Sequence, residues 1–77
     1  MKNLSQIRQG QTVRIHSFED DEIVLKLMEM GCLPGEIIAV EKIAPFGDPI
    51  SVTIAGYHLS LRLDEASKIL VEDITIL

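Results

Sequence analysis

The sequence predicts a mostly β domain: a small five-stranded barrel with one α-helix after the first strand and a short helical turn before the last. Three observations carry that expectation. Short runs of isoleucine, leucine and valine alternate with polar residues, the period of half-buried strands. One stretch, 27–35, switches the hydrophobic period from 3.6 to 2 and so joins a helix to a strand. The chain has only 77 residues, of which 47% are hydrophobic and 4% aromatic. A core that small has little stability to spare, and a closed barrel removes most sheet edges.

A short apolar lead-in, Leu4 to Arg8, ends at Gly10. The first strand runs from Gln11 to Phe18, with Val13 and Ile15 on one face and Thr12, Arg14 and His16 on the other. Ser17 to Asp20 fits a Ser-x-x-acid capping box, and Glu19, Asp20, Asp21 and Glu22 crowd the helix start, where the macrodipole favours negative charge. Glu22 and Lys26 form an i,i+4 pair. Ile23, Leu27 and Met30 share the core face, flanked by Val24 and Met28. Gly31 is the left-handed stop, and Leu33 is placed to fold back on the last turn. Pro34 and Gly35 then suit the two central positions of a type II turn.

The second strand runs from Glu36 to Ile43. Ile38 and Val40 lie on one face, Ile37, Ala39 and Ile43 on the other, which predicts cover on both sides. Ala44 to Pro49 is a loop. The third strand, Ile50 to Ile54, turns Ile50, Val52 and Ile54 inward. Ala55-Gly56 makes a tight hairpin to the fourth strand, Tyr57 to Arg62, with Tyr57, Leu59 and Leu61 on one face and His58, Ser60 and Arg62 on the other. Asp64 caps a helical turn from Glu65 to Ile69 and pairs with Lys68. The last strand runs from Leu70 to Leu77. This order suits an SH3-like barrel; an OB barrel usually carries its helix between strands three and four.

Charge and chemistry narrow the function. Twelve acids against seven bases give a net charge of −5, which argues against nucleic acid and against an anionic lipid surface. No run spans a membrane and the N-terminus lacks the apolar core of a signal peptide. A single cysteine fits a reducing cytoplasm. The positive mean hydropathy leaves room for an exposed apolar patch and a protein partner. No Ser/His/Asp set, phosphate loop or CxxC is present. His16, Cys32 and His58 are the only soft or borderline metal ligands. They lie far apart, and the expectation is two solvated histidines and a small filler, with no metal and no cofactor. The acidic run at 19–22 is explained by the helix start without a cation. Phe46, between Pro45 and Gly47, either folds into the barrel mouth or anchors a partner. Asp48 before Pro49 fixes a turn.

Three stretches together carry a resemblance: Leu27-Met28-Glu29-Met30-Gly31-Cys32-Leu33-Pro34-Gly35; Ala44-Pro45-Phe46-Gly47-Asp48-Pro49-Ile50; and Leu59-Ser60-Leu61-Arg62 with Glu65-Ala66. In this order and spacing the chain resembles the ferrous iron transport protein A (FeoA) family, with Cys32 where the family usually has an apolar or small residue. The resemblance implies one SH3-like domain over residues 1–77, cytoplasmic and without enzymatic activity. The implied partner is the membrane ferrous iron transporter FeoB. The contact residues expected are Met30, Cys32, Leu33, Pro34, Pro45, Phe46, Asp48 and Pro49. Two rival readings stay open: direct Fe(II) binding through His16, Cys32 or His58, and stimulation of the transporter's GTPase by an arginine, for which Arg8, Arg14 and Arg62 are the candidates. Self-association through a sheet edge is open as well.

Overall fold

The structure, a computed structural model, describes residues 1–20 and 22–74. Its elements in chain order are β1 (Lys2–Asn3), a 3-10 turn (Leu4–Gln6), β2 (Thr12–Phe18), α1 (Val24–Glu29), β3 (Ile37–Ile43), β4 (Ile50–Ile54), β5 (Tyr57–Leu61), α2 (Leu63–Ala66) and β6 (Ile69–Asp73). The strands form one antiparallel sheet in the order β1-β6-β2-β3-β4-β5. Two corrections to the expected barrel follow. There are six strands, because Lys2 and Asn3 pair with Val71 and Leu70. The sheet curls without closing among the described residues, and β1 and β5 are its edges.

The core is aliphatic and comes from every element but β1. Val13 and Ile15 of β2, Ile38 and Val40 of β3, Ile50, Val52 and Ile54 of β4, and Ile69 and Val71 of β6 are all buried. Leu27 of α1 and Leu61 of β5 are wholly buried. Leu4 and Ile7 of the lead-in close one end of this cluster. Ile50, Val52 and Ile54 point inward as their alternation requires.

Two bulges re-aim strands in ways that simple alternation does not show. In β2 the register against β6 shifts between Ile15 and Ser17, leaving His16 as the extra residue. In β3 it shifts between Val40 and Lys42, leaving Glu41 out. The second bulge turns Ile43 back toward the core. Ile37 is 40% exposed. β3 is therefore covered on one face only, not on both.

The helix stop forms as expected, with one exchange of roles. Gly31 has φ +99°, its N–H donates to the Met28 carbonyl at 3.0 Å, and the Cys32 N–H donates to the Leu27 carbonyl at 2.9 Å. That pair of bonds is the Schellman motif, whose companion apolar contact falls on the residue after the glycine. The residue that folds back is therefore Cys32, fully buried beside Leu27 in the core, while Leu33 is 43% exposed. The Glu36 N–H donates to the Leu33 carbonyl at 3.1 Å, closing a turn with Pro34 and Gly35 (φ +92°) at its centre.

Several local expectations yield to longer-range bonds. Ser17 caps nothing: it lies inside β2, and α1 begins at Val24 without a side-chain cap. Asp20 instead accepts from the Glu22 N–H at 3.2 Å. Lys26 pairs with Glu65 at 2.7 Å and not with Glu22; Lys68 pairs with Asp20 at 3.0 Å and not with Asp64. α2 starts at Leu63, capped by Glu65, which accepts from the Arg62 N–H at 2.9 Å, and by Asp48, which accepts from the Leu63 N–H at 3.0 Å. The β6 strand ends at Asp73; the predicted continuation over Thr75, Ile76 and Leu77 lies outside the described residues, as does Asp21.

Candidate functional site

Two surface features stand out, at opposite ends of the β3–β4–β5 meander. β3 leaves the Pro34-Gly35 turn at Ile37 and reaches the proline loop at Ile43; β4 runs back from Ile50 to Ile54, and Ile38 faces Ile54 while Ile43 faces Ile50. The helix-stop turn and the Ala55-Gly56 hairpin therefore share one end, and the 44–49 loop occupies the other.

At the first end lies a groove between α1's last turn and β5. Met30 and Leu33 form one wall, Tyr57 and Leu59 the other, with Glu29 and Glu36 among its lining. Tyr57 is 67% exposed even though its strand position points inward, because it sits at the hairpin tip beyond the curled core. Met30 and Leu59 are half-buried against the core. The hairpin is a type I′ turn, with φ +50° at Ala55 and +81° at Gly56.

At the second end the Gly47 N–H donates to the Ala44 carbonyl at 2.7 Å, a turn with Pro45 and Phe46 at its centre. That turn holds Phe46 out of the barrel mouth: the ring is 98% exposed. Asp48 is committed to the start of α2 through Leu63, and Pro45 and Pro49 are exposed beside it.

The expected contact residues are thus divided. Leu33 and Pro34 are exposed at one end; Pro45, Phe46, Asp48 and Pro49 at the other. Cys32 is buried and touches no solvent, so it can meet neither a partner nor a metal ion while the fold is intact. Burial, reinforced by the nearby Glu65 charge, pushes its thiol up to about 11, the direction opposite to that of a reactive cysteine.

The metal candidates are not brought together. The His16 ring shares a hydrogen bond at 2.8 Å with Ser17, and the His58 ring one at 3.1 Å with Thr53. β3 and β4 lie between their strands in the sheet. Among the described residues no three His, Cys, Asp or Glu side chains gather as a metal ion would need. Of the arginines, Arg14 faces Glu72 at 3.8 Å. Arg62 lines a charged cleft between α1 and α2, with the Lys26–Glu65 and Lys68–Asp20 pairs around it. In that cleft the bond from Lys68 holds the Asp20 carboxyl below its usual value. The bond from Lys26, aided by the Arg62 N–H, does the same for Glu65. No described helix is long and apolar enough to cross a membrane.

Fold and surface together define a small SH3-like domain that presents an apolar groove and a displayed aromatic loop. Comparison with known proteins then gives the family: the chain belongs to the FeoA family of ferrous iron transport, matching the FeoA domain over residues 2–73. It is 36% identical to a FeoA-like protein of Clostridium acetobutylicum, with a TM-score of 0.89, covering 97% of this chain and 88% of that one. It is 26% identical to the FeoA of Stenotrophomonas maltophilia, solved in complex with zinc and described as a prokaryotic SH3 domain protein. There the TM-score is 0.82 and the coverage 94% and 91%. It is 37% identical over 70 residues to an Fe(2+) transport protein A/Fe(2+) transporter FeoB fusion protein of Porphyromonas gingivalis. That match takes in 90% of this chain, which spans only 8% of the fusion protein's length.

Proposed function

We propose that this chain is a cytoplasmic accessory protein of ferrous iron uptake that acts by docking on the membrane transporter FeoB and carries out no reaction itself. The single observation that carries the reading is the fusion relative, in which a segment like this one is covalently joined to FeoB. Two modules that work in contact gain from being tethered, because the second binding event becomes intramolecular. The surface supports the same reading: Phe46, Leu33 and Tyr57 are apolar and exposed, the kind of residues that anchor protein contacts.

Co-purification of the full-length transporter with this protein, with and without a GTP analogue, tests the proposal. Retention on the transporter is the expected result, and its absence in both conditions overturns it. The zinc complex of the Stenotrophomonas protein favours a second reading, direct metal binding. Anaerobic calorimetry with Fe(II) separates the two. Saturable one-to-one binding at micromolar affinity would favour the metal reading, and the scattered His16, Cys32 and His58 lead us to expect none.

A further inference from the structure

The two edges of this sheet are treated differently by the sequence. β1 is two residues long and carries Lys2, a short charged edge of the kind that resists pairing. β5 is five residues long, Tyr-His-Leu-Ser-Leu, with no lysine, no proline and no bulge against β4. In a two-residue hairpin the flanking pair, Ile54 and Tyr57, exchanges both hydrogen bonds, and bonded and non-bonded pairs then alternate. His58 faces Thr53 and Ser60 faces Ser51 at the non-bonded positions, so the N–H and C=O of His58 and Ser60 point away from the sheet. Among the described residues β5 pairs with no strand but β4, and neither residue joins a turn, loop or cap bond. Beside this edge lies the groove walled by Met30, Leu33, Tyr57 and Leu59, whose only charged lining residues are Glu29 and Glu36.

We propose that β5 is a receptor edge: it takes an extended segment of a partner protein as a seventh strand, with apolar side chains in the groove and a basic residue against Glu29 and Glu36. This rests on the docking reading above and adds which surface docks and the chemistry of what it takes. Backbone bonds to His58 and Ser60 supply pairing, and alternate side chains entering the groove supply selection, as in other strand additions. Charge decides against a second copy of this chain as the occupant. Two copies meeting at this edge would bring Glu29 and Glu36 of each into one seam, between molecules that each carry a net charge of −5.

The test uses the isotope-labelled protein and overlapping peptides of 15 residues or so spanning the cytoplasmic sequence of the transporter from the same organism. The expected result is that a peptide both apolar and basic shifts the amides of β5 and of Leu33 and slows hydrogen exchange at His58 and Ser60. Ser60→Pro removes an outward N–H that β4 does not use, so it leaves the fold intact. It should weaken that peptide by about tenfold or more, the cost of one lost strand hydrogen bond and a blocked edge. Leu33→Asp should weaken it similarly. The proposal is overturned if the responding amides surround Phe46, if Ser60→Pro binds as the parent does, or if β5 shifts with protein concentration alone. It is also overturned if no peptide binds while the transporter still retains the protein, in which case the docking reading survives. Loss of retention by the transporter itself would remove the docking reading as well.

Discussion

Lys26 of α1 donates to Glu65 of α2 at 2.7 Å, and the two ends of that bond differ: the Lys26 side chain is 64% exposed, the Glu65 side chain 9%. The carboxylate is nearly out of water, with its other oxygen accepting from the Arg62 N–H. Removing the acid strips the Arg62 N–H of its acceptor and leaves only Asp48 to cap the start of α2; removing the lysine costs only an exposed partner. Glu65→Ala is expected to destabilise by about 2 kcal/mol and Lys26→Ala by about 1 kcal/mol, read from urea midpoints. Equal effects would mean that the pair, and not the cap, carries the energy.

The same carboxylates set the acid side of the stability curve. Glu65 and Asp20 are held below their ordinary values of 4.5 and 3.8. A depressed carboxyl contributes stability that is complete above the unfolded value and lost as pH falls through the folded one. The urea midpoint should therefore hold steady down to about pH 5 and decline below it. Glu65→Gln should flatten that decline.

Cys32 governs part of the alkaline side, with the opposite sign. Its folded value of about 11 lies above the ordinary 9.0, so its contribution is full below pH 9.0 and is lost as pH rises toward the folded value. Cys32→Ala should lessen the loss between those limits while leaving a small cavity in the core. At neutral pH the native thiol should resist a disulfide reagent and react at the rate of opening.

Backbone conformation gives a prediction of each sign. Gly31 sits at φ +99° with open space where a Cβ would point, so Gly31→Ala meets no clash and only the conformational penalty. About 1 kcal/mol of destabilisation is expected. Ala55 holds φ +50° at the first central position of the type I′ turn, where asparagine is preferred. Ala55→Asn is expected to stabilise by about 0.5 kcal/mol, measured in the same urea series.

Docking variants should separate folding from contact. Phe46→Asp alters a ring that is 98% exposed and should change stability by less than about 0.5 kcal/mol. Met30 packs on the core, so Met30→Asp loses folding and docking together, and Leu33→Asp is the cleaner probe of that end. Each variant is checked by retention on the transporter after its fold has been verified.

What the sequence made legible was local. The glycine stop at Gly31, the Pro34-Gly35 turn, the Ala55-Gly56 hairpin and the inward set Ile50, Val52 and Ile54 are written in neighbouring residues, and each forms. What it hid was chosen over distance. Lys26 and Lys68 each had a carboxylate four residues away and took one across the α1–α2 cleft instead; for Lys26 the distant acid, Glu65, is nearly buried, which strengthens the bond, whereas Asp20 is as exposed as Lys68 itself. β1 is too short at two residues to show a period. The bulges at His16 and Glu41 insert a residue without leaving any sign in composition. Cys32 and Leu33 exchange roles because the Schellman bonds bury the first residue after the glycine, whichever of the two is the more apolar. The contact residues could be nominated from the sequence, but their division between two ends could not, since it depends on how β3 and β4 pair.

That division limits what can grip this domain. The four rises of β4 put the Leu33 turn and the Phe46 ring about 14 Å apart or more along the strand axis. A partner that touches only one end meets one of the two features; one that lies along the strand axis over the width of an ordinary interface, about 30 Å, reaches both, and losses at the two ends would then accumulate independently.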